Sequence, residues 1–185
     1  QWLQFDNFQN KKKIYADIVV NANPLVKKSD YNKRANNKKK QIFLVGKKYI
    51  LIRDEFKKKS QFKPKSLMLC SGGGVKDNNY IFNTLKIILK IFKFQRIFVI
   101  LNKNDPRKKK ILNLDKLNNE IKIIESTRNI SRYFEQSKIV FISGGTILLE
   151  SLFYNLKRFV CSTAVNQVKN CLSWEKLKYI KYLGN

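Results

Sequence analysis

From residue 66 onward, short β-branched apolar runs alternate with stretches whose apolar residues recur at helical spacing. That alternation leaves few folds open. Residues 66–70, 96–101, 121–124, 139–142 and 158–162 read as strands. Between the first two, Ile81, Leu85, Ile88, Leu89 and Phe92 repeat at helical spacing behind Asp77, a short acceptor placed to cap the helix start. Further helices are expected near 109–118, 129–136 and 146–156, and from about Asn166. Strand and helix in alternation predict a parallel sheet with right-handed crossovers, that is, a doubly wound α/β domain over 65–185. Residues 1–56 are irregular and rich in Lys and Asn, with strands expected at 16–20, 41–45 and 49–52, and read as the end of another domain. The polar stretch 57–64 reads as a linker. Phe92, Phe94 and Phe98 belong to apolar helix and strand faces and are expected in the core.

In an open parallel sheet, ligands bind beyond the carboxyl ends of the strands. Those ends place the loops 71–75, 102–106, 126–128, 143–146 and 163–167 at the expected site. Ser143-Gly144-Gly145 ends one strand and Thr146 starts a helix that carries Glu150. The glycines suit a sharp turn, with positive φ at Gly145, and a close backbone approach to a phosphate. Glu150 is spaced to accept from a ribose diol; a solvated Glu after an ordinary βα turn reads equally well from these residues. Gly72, Gly73 and Gly74 fit neither a Walker loop nor the dinucleotide fingerprint. They expose backbone N–H groups toward a sugar, a phosphate or a partner domain, or form a plain tight turn. Asn166 and Gln167 carry donors and acceptors for hydroxyls or phosphate oxygens, and Asn166 reads equally as a helix N-cap.

Composition excludes several chemistries. Histidine is absent, so no Ser-His-Asp or Cys-His pair and no His-containing zinc site can form within these residues. Cys70, Cys161 and Cys171 lack metal-binding spacing and read as reduced core thiols. No metal or cofactor site is expected. No apolar run reaches the roughly 20 residues that span a bilayer. The net charge of +26 is a typical electrostatic footprint of a nucleic-acid partner. Here the lysines are scattered and accompany abundant Asn, Ile, Phe and Tyr, the bias of an AT-rich coding sequence. No nucleic-acid partner is expected.

Several stretches, in order, resemble one family: Asp17 to Asn23, Leu44 to Phe56, the glycines after Ser71, Ser143-Gly144-Gly145 with Glu150 five residues after the second glycine, and Asn166-Gln167. Together they resemble the UDP-sugar hydrolases of pseudaminic acid biosynthesis and their spore-coat-polysaccharide relatives, which are similar in turn to the lipid II N-acetylglucosaminyltransferase. The resemblance implies a GT-B fold of two Rossmann-like domains facing a cleft. It implies metal-independent attack of water on the anomeric carbon of a UDP-linked 2,4-diacetamido-trideoxy sugar, in the cytoplasm. On the same resemblance, Gly144, Gly145 and Thr146 would cradle the diphosphate and Glu150 would hold the ribose. Asn166 and Gln167 would reach the diphosphate or sugar, and Gly72, Gly73 and Gly74 would border the cleft.

These hydrolases place a water-activating histidine in a glycine-rich loop near the start of their first domain. The expectation is that this chain carries the carboxy-terminal two-thirds of such a protein, with nucleotide binding and no catalytic base of its own. A glycosyltransferase of surface polysaccharide is the competing reading. From other classes come a basic nucleic-acid-binding protein and a catalytically silent sugar-nucleotide sensor.

Overall fold

The computed structural model describes all residues except 7–12, 37–39, 58–65, 71–78, 92–95, 115–119, 126, 128 and 185. Two parallel sheets organise it. The first contains β1 (Leu3–Phe5), β2 (Ile18–Asn21) and β3 (Ile42–Val45), in that spatial order. The register pairs Val19 with both Gln4 and Phe43. Ile14, Ala16, Val19, Val26 and Tyr31 form its core.

The second sheet has six strands. In chain order the elements are β4 (Ser66–Cys70), α1 (Tyr80–Ile91), β5 (Arg96–Leu101), α2 (Lys108–Leu112), β6 (Glu120–Glu125) and α3 (Ser131–Gln136). β7 (Ser137–Ser143), α4 (Thr146–Ser151), β8 (Lys157–Cys161), α5 (Val165–Lys176) and β9 (Lys181–Tyr182) complete it. Spatial order is β6-β5-β4-β7-β8-β9 with every pairing parallel. The order reverses between β4 and β7, so the crevice where such sheets bind ligands opens there.

The strand sequences explain this placement. β4 is buried at all five positions, as befits a central parallel strand covered on both faces. Alternation sends Leu67 and Leu69 to one face, where Ile81, Leu85 and Ile88 of α1 and Ile111 of α2 cover them. Met68 and Cys70 face the other way, into a cluster with Phe134, Val140, Ile142, Leu148 and Trp174. Phe98 lies in that cluster at 2% exposure, in the core as expected. Cys70, Cys161 and Cys171 are all buried, outside any disulfide. Among the described residues no helix is long and apolar enough to cross a membrane.

Three sequence expectations change. The strand expected at 49–52 is instead a 3-10 turn, Lys47–Tyr49, followed by extended chain without a sheet partner. Ile50 and Ile52 are drawn onto the core of the second sheet, and Phe56, 1% exposed, packs against Phe134 and Tyr154 with ring centroids 6.0 and 6.3 Å away. Burial of alternate side chains had produced a strand-like pattern. The helix expected over 146–156 stops at Ser151. Arg158 ends it by donating to the carbonyls of Ser151, Tyr154 and Leu156, as a cation at a helix C-terminus can. Short edge strands β1 and β9 were not anticipated. Asp77, Phe92, Phe94 and nearly all of the 57–64 linker lie outside the described residues.

Candidate functional site

A cleft of about 430 Å³ opens between the carboxyl ends of the two sheets, within the size range of small-molecule sites. Gly144, Gly145, Thr146 and Leu149 form one side, where the chain leaves β7 at the strand-order reversal and enters α4. The first turn of α5 joins them with Asn166 and Gln167, followed by Asn170 one turn on. Phe5, Asp6, Asn21 and Asn23, at the carboxyl ends of β1 and β2, form the facing wall. Tyr49 and Leu51 line the cleft from the connecting segment.

Glycine is needed at 144 for a reason the sequence did not reveal. Gly145 has φ −80° and ψ −154°, a backbone that any residue adopts, so the expected positive φ is absent. The constraint is close packing. A Cβ at Gly144 would lie 2.2 Å from Cys171 Sγ and 3.2 Å from Gln167 Cβ. A Cβ at Gly145 would meet Gln167 Nε2 at 3.6 Å, an ordinary contact. Thus Gly144 lets α5 press against the end of β7, and the absence of a side chain at Gly145 leaves the cleft floor open.

Asn166 is not the N-cap of α5. The helix starts at Val165 behind Ala164, which makes no side-chain cap, and Asn166 is the second helical residue. Its amide is thereby released toward the cleft, together with the open N-terminal turn of a 12-residue helix, whose positive dipole end suits an anion. Gln167 is oriented through its oxygen, which accepts from the Thr163 backbone N–H at 2.9 Å. Its Nε2 is left toward Gly145. Four of the expected residues besides Gln167 therefore meet around one cavity: Gly144, Gly145, Thr146 and Asn166.

Glu150 is placed differently. It is 5% exposed and does not line the cavity. Arg53 holds both its oxygens, with Nε to Oε1 at 3.0 Å and Nη2 to Oε2 at 3.2 Å. This hydrogen bonding raises the Arg53 guanidinium above its ordinary value. Gly72, Gly73 and Gly74 lie outside the described residues. Sequence reasoning missed Asp6, Asn21, Asn23, Tyr49, Leu149 and Asn170. Of these, Asn170 was findable: it follows Asn166 by four residues and so shares its helix face.

The cleft offers amides, the hydroxyl-bearing side chains of Thr146 and Tyr49, and backbone N–H groups, a set suited to holding an anionic, hydroxyl-bearing ligand. Among the described residues its one lining carboxylate is Asp6, bound on both oxygens by Arg34 and on Oδ2 by Tyr31. Among the described residues no group of three or more His, Cys, Asp or Glu side chains is arranged to hold a metal ion.

No protein-family model matches the chain. It is 29% identical over 153 residues to the UDP-2,4-diacetamido-2,4,6-trideoxy-β-L-altropyranose hydrolase of Campylobacter jejuni, a match covering 81% of this chain and 53% of that protein. It is 27% identical over 163 residues to an uncharacterized protein of Methanocaldococcus jannaschii, covering 82% of this chain and 33% of the other. The chain thus spans about half the length, or less, of these curated relatives. Among solved structures it superimposes on Acinetobacter baumannii MurG with a TM-score of 0.62 at 13% identity, over 98% of this chain and 52% of that one. The glycotransferase of kitacinnamycin gives 0.62 at 16% identity, over 91% and 42%. The fold is that of the GT-B glycosyltransferases, and the chain resembles in sequence a hydrolase with a UDP-linked sugar in its name.

Proposed function

We propose that this chain carries the nucleotide-binding part of a UDP-sugar-processing enzyme. Within that class, we read it as a hydrolase that releases UDP from a UDP-linked 2,4-diacetamido-2,4,6-trideoxy sugar. The observation that carries this reading is the cleft between two parallel sheets. There Gly144, Gly145 and Thr146 share one cavity with Asn166 and Gln167 at the open start of α5. The diphosphate would lie against the glycines and the α5 N-terminus, where backbone and amide N–H groups converge. Sequence similarity to the Campylobacter hydrolase supports the UDP-sugar class.

Glu150 would take the ribose while still paired with Arg53. A carboxylate offers about four lone-pair sites, and Arg53 occupies one on each oxygen. The sites left over point to opposite sides, so a single ribose hydroxyl would donate to one of them. A glycosyltransferase acting on the same class of donor is the second reading, supported by the GT-B neighbours.

Calorimetric titration with UDP at near-physiological salt tests the proposal. Saturable binding to the folded chain, lost in Gly145→Val, is expected. Absence of UDP binding, with oligonucleotide binding that weakens steeply as salt rises, would instead assign the +26 charge to a nucleic-acid partner. Release of free sugar without any acceptor, measured on a form that supplies the water-activating group, separates hydrolase from transferase.

A further inference from the structure

The wall facing Gly144 and Gly145 is anchored by a buried polar chain that ends at the cleft surface. Arg34 donates through Nη1 to Asp6 Oδ2 at 2.8 Å and through Nη2 to Oδ1 at 3.1 Å. Tyr31 Oη donates to Asp6 Oδ2 at 2.8 Å, and Asn21 Nδ2 donates to Tyr31 Oη at 3.0 Å. Chemistry sets these directions. An ionised carboxylate only accepts, so Tyr31 commits its single proton to Asp6 and its oxygen must accept from Asn21. Burial, reinforced by Asp6, holds the Tyr31 phenol above its ordinary range, so that proton stays in place. The amide is also fixed at its other end, where Asn21 Oδ1 accepts from the Asn23 backbone N–H at 2.9 Å.

Asn21 is 2% exposed and lines the cleft. Its Nδ2 carries two hydrogens, and Tyr31 takes one. The other has no acceptor among the described residues. A nearly buried donor of this kind, locked in orientation at the edge of a cavity, calls for an acceptor on whatever fills the cavity. The other wall is suited to the diphosphate, so the group facing Asn21 is the one attached to it.

We infer that Asn21 is a specificity-determining residue. Its second amide hydrogen donates to an acceptor oxygen, a hydroxyl or an N-acyl carbonyl, on the glycosyl group of the bound nucleotide sugar. Asp6, Tyr31 and Arg34 are its positioning residues. The inference rests on the nucleotide-sugar reading above and adds the part of the ligand that the β2 wall recognises.

The test titrates the 185-residue chain with UDP and with UDP-2,4-diacetamido-2,4,6-trideoxy-β-L-altropyranose. It compares wild type, Asn21→Ala and Tyr31→Phe, each with a melting curve. Tyr31→Phe keeps the ring that stacks on Phe43 with centroids 4.9 Å apart, and so keeps the local packing if Asn21→Ala fails to fold. The expected result is tighter binding of the sugar nucleotide than of UDP by wild type. Both variants lose about tenfold of that advantage while UDP affinity stays within about twofold, as for one neutral hydrogen bond.

Equal affinity of wild type for the two ligands overturns the inference. So does a full sugar advantage in the variants, or an equal loss for both ligands. Failure of folded wild type to bind UDP overturns the nucleotide-sugar reading itself, whereas UDP binding with unaltered sugar discrimination in the variants overturns the role of Asn21 alone.

Discussion

Arg53 and Glu150, 97 positions apart in the chain, meet in a two-point ion pair with contacts of 3.0 and 3.2 Å. The Glu150 side chain is 6% exposed, whereas that of Arg53 is 50% exposed and its guanidinium also lies over the Phe56 ring at 4.9 Å. The pair therefore ties the segment after β3 to α4, directly behind the residues that line the cleft. Its position makes Glu150 a fastening, and the ribose contact is what the proposed function adds to it.

The two roles separate by mutation. Glu150→Ala is expected to weaken UDP binding by about 1–3 kcal/mol, the range for hydrogen bonds to a charged group. Arg53→Ala leaves a nearly buried carboxylate unpaired, so it is expected to lower the melting point while costing UDP affinity less than Glu150→Ala does. Calorimetry on both variants checks this. Intact UDP affinity in Glu150→Ala, with a lowered melting point, would confine Glu150 to the fastening.

Gly144→Ala is expected to destabilise the fold by about 1–3 kcal/mol, because a methyl cannot share space with a sulfur 2.2 Å away. Removing that sulfur with Cys171→Ala should recover part of the loss. Denaturant unfolding of the two single variants and the double variant measures the coupling. Strict additivity would show that the contact does not limit residue 144.

Burial pushes the Cys171 thiol up to about 12, with Cys161 nearby adding to the shift. An unfolded thiol ionises near pH 8.5. The folded chain therefore binds a proton that the unfolded chain loses at alkaline pH. The associated stability is full below about pH 8.5 and is lost as pH rises toward 12. Cys171→Ala should flatten this alkaline limb of the stability profile, measured by urea unfolding from pH 7 to 10. An unchanged slope in the variant would assign the alkaline loss to other groups.

Phe56→Ala is expected to lower stability by about 3–5 kcal/mol, the cost of emptying a fully buried aromatic site. Phe56 is 1% exposed and belongs to the same cluster as Met68, Val140 and Trp174. A loss below 1 kcal/mol on denaturant unfolding would mean that residues 50–56 rest on the second sheet without stabilising it.

The second sheet was legible because its signals are local. Ser66–Cys70 and Arg96–Leu101 are continuous apolar runs, and Ile81, Leu85 and Ile88 repeat at helical spacing, so strand ends and crossovers followed from the chain itself. The carboxyl-end rule then directed attention to Gly144, Gly145, Thr146, Asn166 and Gln167, which the structure gathers around one cavity. Residues 49–52 misled because apolar alternation records which side chains are buried, and an extended strap against a core buries alternate side chains as a strand does.

By itself the sequence determined the alternating architecture, two of the loops that meet at the cleft and the absence of histidine chemistry within these residues. Tertiary structure alone decided the rest. It made Gly144 necessary through the approach of Cys171, turned Glu150 onto Arg53, and joined Arg34, Asp6 and Tyr31 to Asn21. These are contacts between residues 10 to 97 positions apart. A one-dimensional pattern records periodicity and turn chemistry, and such pairings exist only once packing has brought the segments together.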